Sequence, residues 1–511
     1  MPTVSQNAGP KPRVLWLISV TLPQAARLFG LTGAIGGGWI TGQLNALKAG
    51  AQITVCTVNA AAKAPLCAEA DGVRYVILPS GSRDEFAALL KQQSPDLVHL
   101  WGSEYPPVSE LLPLCDPART LLSVQGLTGP CAEHLLDGVP QEYCGSGPFQ
   151  RLMDRFVPGG LLDKQQAFFN AQAAREKQLL AGLRHVSGRT EWDRAELARL
   201  APNARYWPCN ETLRPEFYTG EWAAAHPLSQ AGGPVPKGQA AVPGAYPESS
   251  GSAPAPQSSP QAPTLLLSQG NYPLKGLHRL IQALPRICAA WPGTKLMVAG
   301  WPPLDKGPLL RPVIRRMFPY QRYCADLAAR LGVAGHIHYT GPLDAEAMKR
   351  QYLEADLFLL CSSIENSPNS LGEAMLLGLP CVASRVGGVP SLIEDGREGL
   401  LYPADDPQAL ADAVLALLAD PARAAALGAA ARRRALVTHD PGRNAAAMLG
   451  IYHGILAEAT GASVPLASHA GSAAAPDAAA PDAVSALEAP AGAPIQNAAV
   501  VPNPQNGRAA P

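Results

Sequence analysis

The feature that most constrains this chain is its rhythm. Short apolar runs of strand length alternate with amphipathic segments of helical length. Alternation at that spacing builds parallel sheets covered by helices on both faces. The pattern occurs in two blocks. In the first, residues 13–19, 52–58, 74–78, 97–101, 120–124 and 184–187 are predicted strands, with helices at 39–48, 84–92, 163–181 and 191–200. In the second, the strands are 264–268, 295–299, 337–340, 357–361 and 381–384. Its helices are 276–290, 320–331, 344–354, 370–377 and 407–418. Right-handed crossovers then give an α/β fold of two Rossmann-like, doubly wound domains. Such sheets bind ligands beyond the carboxyl ends of their strands, so two facing domains make a cleft.

The blocks span residues 13–228 and 264–461, and the last helix of the second can pack back on the first. Residues 229–263 and 462–511 are rich in Pro, Gly, Ser and Ala, and residues 1–12 are polar. None has the apolar periodicity that repays ordering entropy, so all three are expected to be disordered.

Formal charge balances at zero over 511 residues, which argues against a nucleic-acid partner. Ten cysteines are scattered with no CxxC pair and no Cys/His cluster. They read as reduced thiols in a cytoplasmic protein, and no metal site is expected. The amino terminus lacks an apolar signal core, and runs such as 14–22 are too short to span a bilayer. Residues 149–164 and 306–322 mix apolar and basic side chains. They are either solvated helix faces or a peripheral contact with the inner face of a membrane.

Residues 362–380 carry the densest chemistry. A strand enters a loop around Pro368, and a helix follows. Ser370 is placed to cap that helix, with Glu373 as its capping-box partner. The free N–H groups of Asn369, Ser370, Leu371 and Gly372 would face the cleft, where a helix amino end favours phosphate. Seven residues separate Glu365 from Glu373 along the chain, and Glu365 has no evident structural duty. A carboxylate accepts two hydrogen bonds at once, which suits vicinal sugar hydroxyls. The plainer alternative is a capping box beside a solvated loop glutamate.

Residues 268–276 repeat the strand–turn–helix theme with Gly270, Asn271 and Lys275. Lys275 is either a point charge for a diphosphate or a solvated loop lysine. Gly36, Gly37 and Gly38 let backbone approach a ligand closely, but they do not match the dinucleotide fingerprint.

Taken together, these residues resemble the family-four retaining glycosyltransferases of the GT-B fold. The resemblance runs from about residue 13 to 460, without the insertion, and its specific part is Glu365-x7-Glu373 with Ala374-Met375. The runs Gly378–Ser384, Gly387–Gly396 and Lys275-Gly276 also fit. It implies an amino-terminal acceptor domain and a carboxy-terminal donor domain. The substrate would be a UDP- or GDP-sugar donor, without a bound metal or cofactor, and the acceptor a glycan or lipid-linked molecule. Surface polysaccharide synthesis is the implied setting. By the same resemblance Glu365 touches the donor sugar and Glu373 the ribose. Asn369, Ser370 and Leu371 meet the diphosphate, Lys275 holds the phosphates, and Gly37 and Gly38 form the loop over them.

Two positions depart from the family pattern. The arginine that often precedes the lysine is absent from Gly270–Lys275. Arg189 either replaces it from the other domain or caps a helix start. Gln125 stands where many relatives carry a histidine. Glutamine can hydrogen-bond a sugar hydroxyl but cannot act as acid or base. It joins Glu365 and Lys275 as a candidate catalytic residue. His99 and Glu104 are candidate acceptor contacts, and Asn210-Glu211 is either functional or hinge packing. The departures leave an alternative open, a degenerate scaffold that binds nucleotide sugars without turning them over.

Overall fold

The computed structural model describes residues 11–31, 38–153, 161–225, 262–300 and 317–461. The segments expected to be disordered lie almost wholly outside them. So do Gly36 and Gly37 and, of the basic stretch 306–322, residues 306–316.

Two sheets account for the strands. The first has eight, in the order β3-β4-β2-β1-β5-β6-β7-β8. They are β1 Arg13–Leu17, β2 Gln52–Val58, β3 Leu66–Ala70, β4 Val73–Leu78, β5 Leu97–Trp101, β6 Thr120–Ser123, β7 His185–Gly188 and β8 Arg205–Pro208. All pairings are parallel except β3 with β4. The second sheet has six parallel strands, β11-β10-β9-β12-β13-β14. These are β9 Thr264–Leu267, β10 Lys295–Val298, β11 Ile337–Tyr339, β12 Leu357–Leu360, β13 Cys381–Ser384 and β14 Leu400–Tyr402. Central strands such as β5, β12 and β13 are buried along their whole length, as strands covered on both faces must be.

Strand order reverses between β1 and β5 in the first sheet and between β9 and β12 in the second. These are the switch points at which open sheets bind ligands. The carboxyl ends of the two sheets face each other. Asn366 Nδ2, after β12, donates to the Gln125 carbonyl, after β6, at 3.3 Å. The Glu191 N–H donates to Ser391 Oγ at 3.3 Å.

The chain crosses between domains twice. It leaves the first after β8 and returns at His439, where Asp440 caps the Pro441–Thr460 helix by accepting from the Arg443 N–H. That helix buries Met448, Ile451 and Ile455 in the first domain's core. Three such side chains contribute roughly 5–9 kcal/mol, an upper estimate. Its Tyr452 hydroxyl accepts from Trp16 Nε1 at 3.0 Å and meets His99 Nδ1 at 2.8 Å. A second bridge is the segment after β6. Gly138 O accepts from the Tyr323 hydroxyl at 3.1 Å, and Asp137 O lies 3.0 Å from His278 Nε2.

Among the described residues no single helix is long and apolar enough to cross a membrane. One bent pair, Pro407–Ala419 with Pro421–Thr460, passes on length and composition. Its apolar residues, including Leu410, Val414 and Tyr452, are buried in the two cores.

Candidate active site

Lys275 ends the turn after β9 and Glu365 lies in the loop after β12, so the two flank the second switch point. Interlocked loops hold them there. Gly276 has φ +69°, and any side chain on it would strike the Cys361 carbonyl. The Ser363 N–H donates to the Leu274 carbonyl at 2.8 Å. On the other side the Gly388 N–H donates to the Glu365 carbonyl at 2.9 Å. A side chain at Gly387 would hit Glu365 O, and one at Gly388 would hit Asn366 O.

Lys275 Nζ lies 2.5 Å from Glu365 Oε1, and Ser362 Oγ donates to that oxygen at 2.6 Å. Burial works against the ammonium, but the charge and hydrogen bond of Glu365, with Tyr272 and Cys131 beside it, together outweigh it and raise the lysine's pKa above its ordinary value. Glu365 therefore has a structural duty that its sequence did not reveal: it is the lysine's counter-ion.

The capping box expected at Ser370 and Glu373 does not form. Pro368 occupies the cap of the Asn369–Leu377 helix, with no side-chain bond. Glu373 turns instead to Arg214, whose Nε and Nη2 donate to its two oxygens at 2.6 and 2.7 Å. A forked, charge-assisted pair outweighs one backbone N–H. Burial raises the Glu373 pKa, and Arg214 draws it partly back. Each carboxylate oxygen keeps a further lone pair, so the geometry still admits a sugar hydroxyl. The helix amino end is also narrower than expected. The Leu371 and Gly372 N–H groups both donate to Pro368 O, at 3.0 and 3.2 Å. Those of Asn369 and Ser370 have no partner among the described residues.

The remaining donor-side positions act through backbone. Gly270 is buried against Val298 and Leu277 and leaves no room for a side chain. The Asn271 carbonyl accepts from Gln321 Nε2 at 2.8 Å. Gly38 opens the Gly38–Leu47 helix, and a side chain on it would run into Arg214. Gly37 lies outside the described residues. Arg322, part of the expected basic surface, stacks over the Tyr143 ring at 4.8 Å and so packs between the domains.

Across the cleft, the first domain offers a buried polar wall. Arg189 Nη1 pairs with Glu211 Oε2 at 2.6 Å, both side chains only 5% exposed. Arg189 Nη2 donates to the Gln125 carbonyl at 3.1 Å. Gln125 Nε2 donates to Glu211 Oε1 at 2.6 Å. Arg189 is thus committed within its own domain. A capping role does exist beside it, but Thr190 and Asp193 fill it. Gln125 spends its amide on Glu211 and its carbonyl on Arg189 and Asn366. His99 is fully buried, with Nε2 at 2.8 Å from Ser123 Oγ, and burial holds its pKa well below the ordinary value. It clasps the returning helix and is closed off from solvent. Glu104 stands after β5, at the first switch point, with Oε2 buried and unpartnered among the described residues.

Three residues escaped the sequence reading. Arg214 ends the flagged segment 210–214, but no role was assigned to it, and nothing there hinted at its partner. Glu176 is buried in the Leu162–Ala181 helix and accepts from the Ser103 hydroxyl, the Thr128 N–H at 2.8 Å and Thr128 Oγ1 at 2.5 Å. An apolar-facing glutamate in that helix was the available signal. His439 Nδ1–H donates to the Glu211 carbonyl at 2.9 Å, and burial pushes its pKa down to about 4. Among the described residues no group of three or more His, Cys, Asp or Glu is arranged to hold a metal ion.

Residues 263–420 match the family model described as glycosyl transferases group 1. Over 171 residues the chain is 36% identical to the GDP-mannose-dependent alpha-(1-6)-phosphatidylinositol monomannoside mannosyltransferase of Mycolicibacterium smegmatis. That stretch is 32% of this chain and 41% of the relative. A D-inositol 3-phosphate glycosyltransferase of Corynebacterium urealyticum is 32% identical over 149 residues, 29% of this chain and 32% of its own. The matched part thus spans less than half the length of these relatives. Among solved structures, sucrose-phosphate synthase from Thermosynechococcus elongatus superposes with TM-score 0.58 at 18% identity. It covers 87% of this chain and 100% of its own. HepE of Anabaena, in complex with UDP and glucose, reaches 0.52 at 14% identity over 86% and 100%. These identities speak to fold alone, and the fold they share is GT-B. Residues 263–420 thus match a glycosyl transferases group 1 domain, within a chain whose two domains take the GT-B fold.

Proposed function

We propose that the chain is a retaining glycosyltransferase that moves a sugar from a nucleoside-diphosphate sugar to a glycan or lipid-linked acceptor. The observation that carries this reading is the Lys275–Glu365 pair. It flanks the second switch point beside the two free amides of Asn369 and Ser370. An ammonium and a helix amino end aimed at one place stabilise the negative charge of a departing diphosphate. Glu365, already bonded on one oxygen by Lys275 and Ser362, can accept donor-sugar hydroxyls on the other. Glu373 takes the ribose on the lone pairs that Arg214 leaves. The donor is a UDP- or GDP-sugar, and the group acts without a metal or resident cofactor. The glycolipid mannosyltransferase relative supports a lipid-linked acceptor, work at the cytoplasmic face of a membrane and a place in surface glycan synthesis.

The test incubates full-length protein with UDP-glucose, UDP-N-acetylglucosamine or GDP-mannose. Acceptors are methyl α-mannoside or phosphatidylinositol vesicles. Nucleotide release is followed by coupled assay and anomeric configuration by NMR. Release with one donor and an axial product linkage from an axial donor is expected. Folded protein that binds a donor but never releases nucleotide would favour the scaffold alternative. Inversion at the anomeric carbon would refute retention.

A further inference from the structure

The segment after β6 is tied to the first domain at both ends and lies on the second domain between them. At its start the Thr128 N–H donates to Glu176 Oε2 at 2.8 Å, and at its end Ser146 Oγ donates to Asp163 Oδ1 at 2.6 Å. Both acceptors stand on the Leu162–Ala181 helix. Between these ties the segment bonds the second domain. The Asp137 carbonyl lies 3.0 Å from His278 Nε2, and the Tyr323 hydroxyl donates to the Gly138 carbonyl at 3.1 Å. The Tyr143 hydroxyl donates to Asp326 Oδ2 at 3.2 Å, and the Asp137 carboxylate is 3.9 Å from Arg279. Gly138 permits this approach: it has φ +74°, and a side chain there would strike His278.

The segment also covers the surroundings of the donor pair. Ala132, Leu135 and Leu274 share one apolar cluster, against which Tyr272 and Ile364 pack. Leu274 and Ile364 are the chain neighbours of Lys275 and Glu365, and the Tyr272 ring lies 5.8 Å from Lys275 Nζ. With the segment down, the Lys275 and Glu365 side chains are 21% and 10% exposed. A ligand of drug size or more needs a pocket of roughly 300–1,000 Å³. A cover must therefore lift before a nucleoside-diphosphate sugar meets this pair.

The two bridges between the domains differ in kind. The returning helix sinks Met448, Ile451, Tyr452 and Ile455 into the first core. Of residues 130–144, Tyr143 alone joins the second core, with Leu136 and Val139 packed half-buried beside it. His134 and Asp137 reach solvent, so water can replace their bonds on release. Elements with few buried apolar contacts and solvent-reachable bonds open first.

We propose that residues 130–144 are a lid over the donor site, and that its lifting from the second domain admits and releases the nucleoside-diphosphate sugar. This rests on the reading of Lys275 and Glu365 as the donor pair. Closed, the lid keeps water from the departing diphosphate. Entry and exit both pass through the lifted state, so both rates scale with the fraction of protein in it.

The experiment compares the full chain with a double variant, Tyr143→Phe and Tyr323→Phe, which loses two hydroxyls and keeps both rings. The probes are UDP and GDP, read by surface plasmon resonance on the tethered chain, and amide exchange of the free protein. Two lost hydrogen bonds should raise the lifted fraction about tenfold. Association and dissociation of the nucleotide should both quicken about tenfold, with Kd held within about threefold. Exchange over residues 130–144 should quicken by the same factor, and that of the Pro441–Thr460 helix should not change. Tyr323→Phe alone should give about threefold. Damage to the site without a gate weakens binding but does not speed association. A double variant whose association is unchanged or slower overturns the proposal, as does unchanged exchange over residues 130–144. A parent that binds neither nucleotide sinks the donor reading and the gate with it. A parent that binds one, at rates the double variant leaves alone, sinks the lid only.

Discussion

Removing the Lys275 ammonium separates two roles that the structure superimposes. Lys275→Met keeps most of the stem and deletes the charge. Lys275 and Glu365 side chains are 21% and 10% exposed, and their contact is 2.5 Å. Breaking a buried pair leaves one charge uncompensated and costs about 3–5 kcal/mol. Ser362 still donates to Glu365, so a loss near the lower end, about 3 kcal/mol, is expected. If the ammonium also stabilises the departing diphosphate, kcat should fall about 10²–10³-fold, equal to about 2.7–4 kcal/mol of barrier. Urea titration reads the first effect and steady-state nucleotide release the second. The decisive variant is the double change, Lys275→Met with Glu365→Gln. It removes both buried charges, so stability should recover by at least about 1 kcal/mol over Lys275→Met alone. Turnover should stay low. A double variant that regains turnover would show that Lys275 only neutralises Glu365, and would refute its action on the leaving group.

Three further outcomes follow from contacts described above. Arg214→Met leaves Glu373 buried and unpaired and should cost about 3–5 kcal/mol; adding Glu373→Gln should cost far less than a second such loss, as a denaturation cycle would show. Gly388→Ala drives a methyl into Asn366 O and Thr190 and displaces the Glu365 loop; turnover should drop about 10²-fold, and the overpacking should lower the melting temperature by an amount equal to about 1–3 kcal/mol. The third concerns the bridge after β6. Its hydrogen bond to Asp137 raises the His134 pKa above the ordinary imidazole value, against burial. The protonated pair therefore holds the bridge below the ordinary value of about 6.5, and its contribution fades as pH rises through the raised one. Amide exchange in residues 134–144 should quicken across that window, and His134→Gln should abolish the pH dependence.

The elements buried on both faces were legible in the sequence. The runs 52–58, 97–101 and 381–384 coincide with β2, β5 and β13. Unbroken apolar runs between turn residues admit few other readings. The strands that escaped, β3, β8 and the three-residue β14, are all at sheet edges. β3 reads Leu-Cys-Ala-Glu-Ala with alternating exposure, and β8 ends in proline. Both are half-solvated and carry weak periodicity. The site was legible where it is local. Lys275, Glu365 and the 369–377 helix stand on loops that strand–turn–helix spacing locates. Partner choice was not, because it is decided between distant residues. Nothing near Glu373 announces that Arg214, 159 positions away, will outbid a capping amide. Nor does anything near His99 announce that Tyr452, 353 positions on, will close it off.

The two crossings of the chain bear on how the cleft works. Residues 209–214 lead out of the first domain and His439 leads back, and the two strands of this passage bond each other. Tyr218 hydroxyl donates to the His439 carbonyl at 2.6 Å, and His439 donates to the Glu211 carbonyl. The Glu211 carboxylate in turn holds Arg189 and Gln125 in the wall of the cleft. On the other side His439 packs against Gly372, in the first turn of the helix whose amino end opens at the second switch point. One short passage therefore joins the two domains, supports the polar wall of the first and backs the helix at the second switch point. The Gln125 side chain is tied to that passage through Glu211, whose carbonyl accepts from His439 and whose carboxylate also holds Arg189.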